Sequence, residues 1–72
     1  MATFARIVSF ETKGGRFDDK KDSAELSRIL SALQAKDATI EKVTPRLVHS
    51  EHNGLTIAVY LILYDADSYL DL

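Results

Sequence analysis

Seventy-two residues, 46% of them apolar and 28% charged, have the composition of one small globular domain. Such a chain buries only about 60% of its unfolded surface and is marginal as a lone subunit. A net charge of −2, with nine Lys and Arg scattered from Arg6 to Arg46, argues against nucleic acid or an anionic membrane as partner, since either calls for a basic excess on one face. The absence of cysteine removes disulfides and thiolate metal sites and fits a reducing cytoplasm.

The first residues show no basic segment followed by an apolar run, so a secretory leader is not expected. Thr3 to Phe10 reads as the first strand, with Phe4, Val8 and Phe10 alternating with Ala5, Ile7 and Ser9, and Arg6 on the phenylalanine face. Glu11 to Lys21 is polar and contains Lys13-Gly14-Gly15-Arg16. Paired glycines predict a turn or a mobile surface loop. A basic pair flanking glycines can also cradle an anion, but the phosphate-loop and dinucleotide fingerprints are absent. Phe17 is the one large apolar anchor there.

A helix is predicted from about Ser23 to Lys36. Asp22 suits the N-cap and Glu25 follows three residues later, as in a capping box. Leu26, Ile29, Leu30 and Leu33 fall at i, i+3, i+4, i+7 and form one apolar stripe. Asp37-Ala38 links this helix to a second strand, Thr39 to Ser50, whose alternation slips. Ile40 and Val43 are three apart, as are Pro45 and Val48. Proline is confined to sheet edges and bulges, so an edge strand irregular near Pro45 is expected. Glu51-His52-Asn53-Gly54 then forms the turn, because Asn-Gly between two strand patterns is a strong hairpin signal.

Leu55 to Tyr64 is the most apolar stretch, ten residues without charge, glycine or proline. Its odd positions carry Leu55, Ile57, Val59, Leu61 and Leu63; its even ones carry Thr56, Ala58, Tyr60, Ile62 and Tyr64. A strand with one wet face would put charges on one set. Both faces are therefore expected to be covered. The run is about half the length of a membrane span. Asp65 to Leu72 reads as a short helical turn or a frayed end.

Strand, helix, strand, strand gives an α+β fold, a single βαββ domain over residues 1–72. The hairpin pairs the second strand with the third, and the most apolar strand belongs in the middle. The prediction is a three-stranded antiparallel sheet of order 2-3-1 with the helix on one face. The odd residues of the third strand are expected under the helix. The even set, Ala58, Tyr60, Ile62 and Tyr64, is then the expected interface, since an exposed apolar patch usually marks one. A homo-oligomer, dimer or higher, is the economical solution.

No catalytic constellation assembles from this sequence. His49 and His52, with Glu51 between them, are the weak metal-ligand candidates. Residues three apart on an extended chain point to opposite faces, however, and a solvated turn is the plainer reading. Asp65-Ala66-Asp67 resembles the start of a calcium loop but lacks the required glycine. No cofactor is expected. The pattern Glu25-Leu26-x-x-Ile29-Leu30-x-x-Leu33, then Ile40-x-x-Val43, then a hairpin closing on Val59 to Tyr64, resembles short sporulation-specific proteins of bacilli. That resemblance implies no activity. Taken together, the sequence predicts a cytoplasmic, non-enzymatic protein that self-associates or binds a partner. The alternative is an oligomeric small-ligand binder with pockets between subunits.

Overall fold

The computed structural model describes residues 1–72, in the order β1 (Ala2–Glu11), α1 (Asp19–Ala35), β2 (Thr39–His49) and β3 (Thr56–Ala66). The three strands form one antiparallel sheet with β3 between β1 and β2. This is the predicted α+β, βαββ arrangement. Its cause is visible in composition: the one strand that needs partners on both sides is the one without a breaking residue or a charge before Asp65.

The ladder phase follows from two ends. Thr12 N–H donates to the Thr56 carbonyl at 3.0 Å, and Thr56 N–H donates to Thr12 Oγ1 at 3.2 Å. At the other side of β3, Ser50 N–H donates to the Leu55 carbonyl at 2.8 Å. Antiparallel pairs alternate between bonded and non-bonded. Even residues of β1 therefore bond to even residues of β3, and odd residues of β3 bond to β2. Pro45 consequently lies at a position whose backbone nitrogen faces outward from the sheet, where a missing N–H costs nothing. The irregularity in β2 is not at Pro45. It is a bulge at Glu41, between Ile40, which pairs with Tyr64, and Lys42, which pairs with Leu63. One extra residue there puts Ile40 and Val43 on the same face, which explains their three-residue spacing.

The helix begins four residues earlier than predicted. Asp18, not Asp22, is the N-cap, and its carboxylate accepts from Lys21 N–H at 3.1 Å. Asp19 and Asp22 then fall in the first turn, where the helix dipole favours negative charge. Glu25 is released from capping and pairs with Arg28 at 2.6 Å on the exposed surface. The C-terminus closes as a Schellman motif: Ala38 N–H donates to the Leu33 carbonyl at 3.1 Å and Asp37 N–H to the Gln34 carbonyl at 3.0 Å. Asp37 occupies the left-handed position usually given to glycine, with φ 64°.

The core lies between helix and sheet. Leu33, Ile62 and Tyr64 are fully buried, with Val8, Ile29, Ala38 and Ala66 around them. The tail is neither helical nor free. Leu70 N–H donates to the Tyr64 hydroxyl at 3.0 Å, and Leu70 and Leu72 pack against the core. Tyr69 meets the ring of Phe4 edge-on at 6.2 Å. At the opposite end, Lys13 and Arg16 exchange backbone hydrogen bonds of 2.7 and 3.3 Å across Gly14 and Gly15, both at positive φ. The glycine segment is thus a tight two-residue turn, the geometry that positive φ at both central positions permits.

Two substitutions test this account by urea unfolding. Leu33→Ala should cost about 2–5 kcal/mol, a large part of the roughly 4–11 kcal/mol expected for a domain of this size. Asp37→Gly should instead stabilise by about 0.5–1 kcal/mol by relieving the left-handed backbone. A destabilised Asp37→Gly would show that its side chain holds the link.

Candidate functional site

Directly opposed residues of an antiparallel sheet share a face. With the observed register, the face turned away from the helix carries Ile57, Val59, Leu61 and Leu63 along its midline. Ile7 and Ala5 flank this stripe on β1, and Val48 on β2. Ile7 is 68% exposed and Val48 45%. No element of the chain crosses this face. Its border is charged: Lys42 and Arg46 lie on β2, and Glu11 on β1.

This reverses the predicted side. Ala58, Ile62 and Tyr64, expected at an interface, are buried beneath the helix, and Tyr60 is half-buried beside them. The reason lies in the flanking strands. The even residues of β3 are bordered by Phe4, Val8 and Phe10 on one side and by Ile40 and Val43 on the other. The odd residues are bordered by Thr3, Ser9, Glu11, Lys42, Thr44 and Arg46. The helix stripe packs on the face where the flanking strands offer the larger apolar side chains.

The molecule is extended for its length. Its radius of gyration is 13.8 Å and its extents are 41 × 21 × 17 Å, whereas a compact domain of this size has a radius near 11 Å. Its accessible surface is 5228 Å², roughly 800 Å² more than a monomer of this mass usually shows. That excess is about what one partner contributes to a standard interface.

The histidines do not converge. His49 Nδ1 lies 3.1 Å from Thr56 Oγ1 at the end of the sheet, while His52 sits in the exposed turn. No three His, Asp or Glu side chains come together closely enough to share a metal ion. Of the glycine turn's amides, those of Lys13 and Arg16 are taken up by each other and are not offered to an anion. Asp65 and Ala66 belong to β3, not to a calcium loop.

Two features were not foreseen. At the bulge, the neighbouring Asp65 carboxylate holds the Glu41 carboxyl above its ordinary range. The Glu41 carboxyl, and then the Thr3 hydroxyl at 2.6 Å, hold Asp65 below its own. An unforeseen register shift brought them together, so the sequence carried no signal of the pair. On the helix face, near the hairpin, lies a groove of about 280 Å³. Phe10, Phe17, Leu26, Leu47, Ala58 and Tyr60 line it, with Asp19, Asp22 and Ser23 at its rim. Leu47 is 69% exposed there.

Fold and surface together define a βαββ protein with an open three-stranded sheet and one apolar face left bare. No family model matches this chain, and comparison with curated proteins and with solved structures finds no match. No helix is long and apolar enough to cross a membrane.

The carboxyl pair yields a pH prediction. The raised pKa of Glu41 contributes stability below its unfolded value, lost as pH rises through its folded value. The depressed Asp65 contributes stability above its unfolded value, lost as pH falls through its folded one. As pH rises the Glu41 share is lost while the Asp65 share is gained. Glu41→Gln should therefore raise the urea midpoint at pH 7 and leave it little changed where Glu41 is already protonated. A uniform shift at both pH values would rule out the pairing as its source.

Proposed function

We propose that this chain is a small, non-enzymatic, self-associating protein of the cytoplasm whose bare sheet face is buried by another copy. The observation that carries the reading is the half-buried stripe of Ile57, Val59, Leu61 and Leu63, with exposed Ile7 beside it, on a face that no element of the chain covers, in a molecule whose surface is large for its mass. Leaving such a stripe in water forgoes roughly 25 cal/mol for every Å² of apolar surface, and monomeric proteins rarely keep contiguous patches of this kind. The border charges favour like meeting like. A two-fold axis parallel to the strands sets Glu11 of one copy beside Arg46 of the other. The resemblance to short sporulation-specific proteins supplies no activity to set against this.

An oligomeric small-ligand binder is the second reading, and the apolar groove beside Leu47 favours it, since a neighbouring subunit could close it. A stoichiometric compound that purifies with the protein and is lost in Leu47→Glu would select this reading.

The primary test is Leu61→Lys, which places a charge at the centre of the bare face. Desolvating an unpaired charge on association costs several kcal/mol, and position 61 is outside the helix-side core, so the fold should survive. Sedimentation should show an associated wild type and a dissociated, folded variant. A wild type that stays at 8.0 kDa at micromolar concentration would exclude the reading.

A further inference from the structure

The two edges of the sheet are built differently. On β2 the ladder phase turns the odd residues outward, and the middle of that set is Pro45, which has no N–H to offer. The bulge at Glu41 interrupts the same edge, and Lys42 and Arg46 charge it. These are the devices by which sheet edges are closed to strand addition. On β1 the proline and the bulge are both missing. Ala2–Glu11 runs ten residues without proline or bulge and with one charge, Arg6, before Glu11. Its even residues bond to β3, so Thr3, Ala5, Ile7, Ser9 and Glu11 direct their N–H and C=O groups away from the sheet.

We propose that β1 pairs with β1 of a second copy, antiparallel, across a two-fold axis at Ile7, joining two sheets into one of six strands. The proposal rests on the self-association reading and adds to the burial of the sheet face a second contact, at the sheet edge. Register selects the axis. Opposed residues share a face and the outward bonds come from odd residues, so near the middle of β1 the axis falls at Ala5, Arg6, Ile7 or Val8. An axis at Arg6 sets two guanidinium groups against each other, one at Ala5 leaves Glu11 without a partner, and one at Val8 leaves Thr3 without one. The axis at Ile7 uses all five outward residues. It pairs Thr3 with Glu11 and Ala5 with Ser9, and on the helix face it sets Phe4 against Phe10 and Arg6 against Val8. No like charges are opposed, and two aromatic cross-strand pairs form. Ile7, the most exposed large apolar side chain within any strand besides Leu47, meets its own copy. The bare stripes of the two subunits become one continuous apolar surface.

Amide hydrogen exchange reads this directly. In a lone subunit the amides of Phe4, Arg6, Val8 and Phe10 are bonded, while those of Ala5, Ile7 and Ser9 are free. The proposal predicts that the second set is protected at high protein concentration and loses protection on dilution, with the first set protected throughout. Ala5→Pro and Ser9→Pro each remove one outward N–H and leave the β1–β3 ladder intact. Each should halve the sedimenting particle, or reduce it further, while keeping wild-type circular dichroism and protection at Val8. Free exchange at Ala5, Ile7 and Ser9 in an associated wild type would overturn the edge pairing. Particles unchanged by both prolines but dissociated by Leu61→Lys would overturn it too, and leave burial of the sheet face standing. The converse, dissociation by the prolines alone, would support the edge and remove the face. A monomeric wild type would remove both.

Discussion

One constraint governs this molecule: a central strand apolar on both faces, served by a single helix. β3 must pair with a strand on either side, and its side chains are aliphatic or aromatic along almost its whole length. A lone amphipathic helix can cover one face only. All else follows from how that mismatch is managed. The helix takes the face where Phe4, Val8, Ile40 and Val43 supply apolar neighbours, and the tail adds Leu70 and Leu72 to the same side. Nothing remains for the other side.

The sequence displayed the topology openly. The helix stripe, the Asn-Gly turn and the uninterrupted run at Leu55–Tyr64 are independent signals, and they demand the same sheet. Which face the helix would choose was not legible in β3, because both of its residue sets are apolar. It was legible in the neighbours, provided the register was known. Closing the hairpin at Ser50 and Leu55 places Thr44 opposite Leu61 and Arg46 opposite Val59, and polar borders identify the open side. The helix start was ambiguous for a different reason. Asp18 and Asp22 stand one turn apart, and each can cap; the earlier one gains an extra turn with two further acids near the positive end of the dipole.

The candidate site was harder to read than the fold because it is defined by what is missing. A bare face and an open edge leave no motif. They emerge only when each strand residue has been assigned a direction, for its side chain and for its N–H. Thr12 matters here beyond its size. Its backbone and hydroxyl both bond to Thr56, which fixes the phase of the β1–β3 ladder and hence which amides of β1 point outward. A residue at the far end of the strand thus determines what the edge presents to a partner.

The bulge at Glu41 bears on how this chain can vary in length. Ile40 and Lys42 face consecutive residues of β3, Tyr64 and Leu63, so the residue between them is supernumerary to the ladder. A chain lacking position 41 threads the same sheet with every later side chain on its present face. Loss of any residue from 44 to 48 instead inverts part of the strand, sending Ile40 and Val43 to opposite sides. The strand has a single site, the bulge, at which its length can change by one residue without re-sorting core and surface, and that site lies near the start of β2, soon after the helix ends.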